Sequence, residues 1–163
     1  MISPTITNLV YPAYLLIAFS LTLIFIPRKI YKHYLLYGII LGGCGDFLIV
    51  SLYQDVFHLI QFKNQGIFLA LGQHMLSPLS WIFTLMLFLY FLPQRTLSLF
   101  FYIPSFGLAA TFFGYLVHNA NLFDFKPGFY PIFAFLSFTF WWILSFWLYR
   151  KKILLDKDSS DKL

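Results

Sequence analysis

Six polar side chains sit in or beside strongly apolar sequence, where they could do chemistry: Asp46, Gln73, His74, Ser77, His118 and Asn119. Asp46 is the one carboxylate in the twenty-residue run Tyr34 to Tyr53, YLLYGIILGGCGDFLIVSLY. A helix of that length spans roughly 30 Å, the thickness of a bilayer's hydrocarbon core. A charge at the centre of that core costs on the order of 2.5–3.5 kcal/mol on insertion scales, so such an acid is kept when it is paired or useful. Asp46 lies seven residues before Tyr53 and His74 seven after Ile67, which sets both about 10 Å beneath the outer ends of their segments. A histidine and an aspartate at matching depth can trade a proton near neutral pH, as a relay or a general acid/base requires. One reading is therefore an outward-facing polar pocket of Asp46, His74 and Gln73 with His118 and Asn119 above them. The competing reading makes Asp46 a polar tie between helices, typically worth about 0.6 kcal/mol.

Other chemistries have less to work with. Cys44 is the single cysteine, which excludes an internal disulfide and any CxxC motif. It is two residues from Asp46 and faces another direction on a helix, so no metal site with His74 is expected, and no cofactor is implied. Ser77 and His74 are the only nucleophile and base at suitable spacing, with no orienting acid fixed by sequence. Walker, G-x-S-x-G, HExxH and dinucleotide fingerprints are absent from the sequence.

The elements that must position these residues follow from composition. The 163 residues are 60% hydrophobic and 10% charged, against about 25% charged in a soluble domain, which reads as one all-α, polytopic transmembrane helix bundle. Five spans are expected, at about 8–26, 34–53, 67–92, 97–117 and 130–149, making a single transmembrane domain over 1–152 followed by a soluble, disordered tail at 153–163. Pro78 either bends the third span or begins a helix capped by Ser77, leaving 67–77 as a re-entrant piece. Either way Gln73, Ser77, Ser80 and Thr84, at i, i+4, i+7 and i+11, are expected to make one polar stripe. Gln54 to Gly66 suggests an amphipathic helix along the outer interface, or a plain loop. Gly38, Gly42 and Gly45, and in the fourth span Gly107, Ala110 and Gly114, offer close-packing faces. Trp147 fits an aromatic belt.

Alternation of five spans gathers Arg28, Lys29, Lys32, Arg95, Arg150, Lys151, Lys152, Lys157 and Lys162 on one side and leaves Lys63 and Lys126 on the other. Nine against two places the N-terminus outside and the C-terminus in the cytoplasm. The same distribution speaks against a nucleic-acid partner and for the lipid bilayer as the protein's main contact.

PRKIYKHY after the first span, an aspartate within the second and PLSWIFTLMLFLYFLPQR in the third resemble a family of small multi-pass membrane proteins of spore-forming Gram-positive bacteria. The resemblance covers much of residues 27–150. It implies a bacterial cytoplasmic membrane and brings no catalytic residues; the Gln54 to Gln65 segment and the acidic tail depart from it. Three functions stay open: a packing or subunit-type membrane protein, self-associating or part of a larger complex; a transporter or proton relay working through Asp46 and His74; and an intramembrane enzyme.

Overall fold

The structure, a computed structural model, describes residues 9–64, 68–70 and 73–160, with side chains described for all of these but 69–70 and 153–160. Asn8, residue 67 and residues 71–72 of the expected spans, residues 65–66 of the expected interfacial segment, and residues 161–163 of the tail lie outside the described residues. Among the described residues five helices follow one another: α1 Val10–Phe25, α2 Arg28–Val56, α3 Leu76–Tyr90, α4 Thr96–Asn119 and α5 Ile132–Ser160. Helices α2 and α4, and the Ile132–Lys152 part of α5, are long and apolar enough to cross a bilayer. The 16 residues of α1 and 15 of α3 are also apolar but reach only about 24 and 22 Å. The chain is thus a polytopic helical membrane protein with three long apolar spans and two shorter apolar helices.

Two short ribbons complete the fold. Strand β1, Ile60–Phe62, pairs antiparallel with β4, Phe123–Phe125, with Ile60 opposite Phe125. Strand β2, Leu69–Ala70, pairs antiparallel with β3, Gln73–His74, just before α3. Strand β1 lies where an amphipathic helix or a plain loop was expected, and β2–β3 where the third span was expected as helix or as a re-entrant piece. The Gln54–Gly66 stretch is not an amphipathic helix: α2 ends at Val56, His58 turns the chain at φ 49° while its Nδ1 donates to the Gln54 carbonyl at 2.9 Å, and β1 follows. Ile60, Gln61 and Phe62 then alternate buried, exposed and half-buried, the two-residue period of a strand. The third span is likewise shorter than expected. Its helix starts at Leu76, with Pro78 in the first turn, where a missing N–H costs nothing because those amides have no intrahelical partner. At the other extreme the backbone stays helical to Ser160, where a disordered tail was expected; RKKILL after Tyr149 contains no helix breaker.

Helix α2 is set against α3 by absent side chains. A methyl group on Gly42 would lie 2.5 Å from the Trp81 carbonyl oxygen, and one on Gly38 2.8 Å from that of Ile82. Between these contacts α2 widens into π-helical turns over Gly38–Cys44. A π turn holds more residues than an α turn and rotates everything beyond it, so the expected single face of Gly38, Gly42 and Gly45 is split. Gly45 meets the Trp141 ring of α5, while Gly43, absent from the expected seam, packs on Ile82. Helices α4 and α5 form a hairpin in which Gly107 abuts Thr139 and Ala110 is buried. This hairpin meets α1–α3 with few close backbone approaches; large rings fill the seam, Phe88 of α3 lying against Tyr102, Phe106 and Trp142.

The bundle has two distinct ends. Rings of His33, Tyr34, Tyr37, Tyr90 and Tyr149 gather at one, beside the basic residues of the α1–α2 link and of α5. At the other, Tyr11, Val117, Ala120 and Leu122 pack beneath the β1–β4 ribbon.

Candidate functional site

The π-helical turns deliver Asp46 toward the N-terminal turn of α3, where Ser77 Oγ donates a hydrogen bond to Asp46 Oδ2 at 3.0 Å. The two residues line a cavity of about 100 Å³ in the ribbon-side half of the bundle. Aromatic rings form much of its wall, Tyr11, Trp81, Phe113 and Trp141 among them, together with Phe123 and Phe125 of the ribbon. Asp46 lines the cavity and keeps part of its surface accessible, and among the described residues no hydrogen bond reaches its other oxygen, Oδ1. Among the described residues no basic side chain forms an ion pair with it.

Of the residues singled out by sequence, the structure joins only Asp46 and Ser77. The expected Asp46–His74 pair is not formed. His74, 3% exposed, lies in β3 with its ring stacked on Tyr11 at 4.0 Å and on Phe68 at 5.3 Å, and its Nδ1 accepts the Leu76 amide hydrogen at 3.2 Å. That bond satisfies one of the unpaired amides opening α3, so this histidine acts as a helix cap, and in the neutral ring its proton is on Nε2. The depth argument failed because it assumed helix through residues 67–77. The Ser77–His74 dyad fails for the same reason: each group is committed elsewhere.

Gln73 is buried in β3, its carboxamide without a hydrogen-bond partner, and does not line the cavity. Ser80 and Thr84 bond back to the carbonyls of Leu76 and Ser80, and Tyr14 reaches Thr84 at 2.7 Å, so the polar part of α3 is a packing feature. His118 and Asn119 are exposed at the end of α4 and take no part in the cavity. His118 Nδ1 donates to the Phe123 carbonyl at 3.0 Å and stands 3.4 Å from Asp124, which also hydrogen-bonds Lys63. The Lys63 ammonium holds the Asp124 carboxyl below the usual carboxylate range. Cys44 is exposed, while Asp46 faces inward.

Tyr11, Trp81 and Trp141 were not anticipated as site residues. Trp141 had a faint signal, the WW pair in a span whose neighbour carries Gly45. The ribbon had a better one: IQF and FDF both alternate, a strand period that short loops seldom show.

Fold and site together define a membrane-embedded helix bundle with one acid in an aromatic cavity. Among the described residues no three His, Cys, Asp or Glu side chains gather as metal ligands. No family model, curated protein or solved structure matches the chain.

Proposed function

We propose that this chain is a binding or transport protein of a bacterial cytoplasmic membrane that holds the ammonium group of a small amine against Asp46. It crosses the bilayer five times, N-terminus outside and C-terminus inside, with the cavity in the outward half. The nine-to-two distribution of Lys and Arg supports that direction. So does the gathering of the α1–α2 link and the basic part of α5 at the end of the bundle opposite the ribbon. The bacterial setting follows from the family resemblance.

One observation carries the reading: the Asp46 carboxyl is anchored through one oxygen by Ser77 and open through the other to a ring-lined cavity, unpaired with any basic side chain among the described residues. An unpaired charge away from water is costly, and a ligand ammonium supplies the missing partner. Trp81 and Trp141 add ring faces, which attract cations by about 0.5–2 kcal/mol. A proton relay fits less well because Asp46 hydrogen-bonds a hydroxyl that does not titrate near neutral pH. The packing or subunit reading rested on small-residue faces, and those faces meet partners inside the chain. The enzyme reading rested on Ser77 beside His74, and each of those side chains is bonded elsewhere.

The test is ¹⁹F NMR of 3-fluoropropylamine with the purified protein in mild detergent, beside the uncharged 3-fluoropropanol. Saturable binding of the amine alone is expected; equal binding of both, or of neither, refutes the reading.

A further inference from the structure

A second cavity adjoins the first. It holds about 210 Å³ and is walled by Tyr14, Ala18, Thr84, Phe106 and Trp142, and the two cavities share Trp81, Ala110 and Phe113 as a common wall. Its rim includes Ile17 of α1, 60% exposed, and the exposed Ala109 of α4. Those residues lie near the middle of their helices, and α1 and α4 make few close backbone approaches, so the groove opens sideways at mid-height of the bundle. In a chain that spans a bilayer, this is where acyl chains lie.

The groove offers no spare polar group from its hydroxyls. Thr84 Oγ1 donates to the Ser80 carbonyl and accepts from Tyr14, which uses both. Trp142 Nε1, also in its wall, has no hydrogen-bond partner but is buried, so an occupant meets a mostly apolar surface. The Asp46 cavity is walled mainly by apolar groups too, but it carries the carboxyl and is small: about 100 Å³, against about 150 Å³ for an apolar cavity that takes benzene. It has room for a head group and not for a whole drug-sized molecule.

We infer that the ligand is a single-chain alkyl amine, whose ammonium sits at Asp46 and whose chain passes over Ala110 into the groove between α1 and α4, reached sideways from the lipid. This inference rests on the amine reading of Asp46. The carboxyl selects the ammonium, and the residues common to both cavities mark where the chain crosses from one to the other. Ala110 is the narrowest of these, with no side chain beyond a methyl to obstruct a chain between Trp81 and Phe113.

The test compares displacement of 3-fluoropropylamine by dodecylamine and by propylamine in wild type, Asp46→Asn, Ala109→Phe and Ile17→Phe. Both groove substitutions are at exposed positions on opposite rims, so one still serves if the other misfolds. Ala109→Phe or Ile17→Phe is expected to weaken dodecylamine at least tenfold and leave propylamine within twofold. If dodecylamine ignores both groove variants, or both amines weaken equally in them, the groove assignment is overturned. Such a result leaves the amine site standing so long as propylamine still depends on Asp46; if wild type and Asp46→Asn behave alike, the site itself falls.

Discussion

Replacing Gly42 by alanine asks whether the α2–α3 seam is what holds Asp46 in place. In an exposed helix the change would stabilise by about 1 kcal/mol, because alanine is the better helix former. Here the added methyl would lie 2.5 Å from the Trp81 carbonyl oxygen and 3.0 Å from the Ile82 Cα, atoms of a backbone that cannot rotate away. Ordinary contact begins at 3.4 Å, so the helices must part by about 0.9 Å locally. Overpacking of that kind costs about 1–3 kcal/mol. The separation also stretches the Ser77–Asp46 hydrogen bond from 3.0 Å to beyond bonding range, about one turn away. Gly114→Ala is the control: its methyl would meet only the edge of the Phe125 ring at 3.3 Å, and a side chain can shift. SDS titration followed by tryptophan fluorescence should show Gly42→Ala less stable than Gly114→Ala by about 1–3 kcal/mol, since both carry the same helix gain and only the first is overpacked against backbone, with weaker amine binding in Gly42→Ala than in wild type. Should Gly42→Ala match or exceed Gly114→Ala in stability, the tight seam and the positioning argument built on it are wrong.

Gly45→Ala drives a methyl into the Trp141 ring, and a cycle with Trp141→Leu should recover at least half of the lost stability, since the clash is with a side chain that the second change removes. Ser77→Ala leaves the helices packed but frees Asp46 Oδ2, and amine affinity should fall about three- to tenfold as the carboxyl loses its anchor. For the ribbon, folding lowers the Asp124 pKa through Lys63, so the associated stability is present at neutral pH and disappears as pH falls through the folded value, below the usual carboxylate range. Both partners are 40% exposed, so Asp124→Asn should cost no more than about 1 kcal/mol at pH 7 and progressively less as the medium is acidified, read by hydrogen exchange of the β1–β4 amides.

Apolar periodicity and the lysine and arginine pattern made the bundle legible in the sequence, because lipid tolerates little besides helices whose backbone groups bond within themselves. Asp46 stood out for the same reason: a carboxylate in YLLYGIILGGCGDFLIVSLY is kept when it is paired or useful, as a tie between helices or as a site. Its partner did not. Height matching pointed to His74, and would have worked on an unbroken third helix, but β2–β3 takes up the residues before Leu76 and turns His74 into a cap. Ser77 was within reach of the sequence as a candidate, and only the short α3 assigned it to Asp46. The glycine face was half legible: Gly38 and Gly42 do share α3, whereas the π-helical turns after them, invisible to a 3.6-residue wheel, sent Gly45 to Trp141. The aromatic walls could not be told from lipid-facing rings by composition, since Trp141 and the 53% exposed Trp147 occupy the same span.

The most direct measurement is the dissociation constant of 3-fluoropropylamine for wild type and Asp46→Asn, by ¹⁹F NMR at one pH and salt concentration. Asparagine keeps the shape and can still accept from Ser77, so the difference isolates the charge. Truncating one side of a desolvated charge pair costs about 2 kcal/mol or more, and affinity should therefore fall roughly thirtyfold or further. Equal affinities in the two proteins would contradict the account at its root.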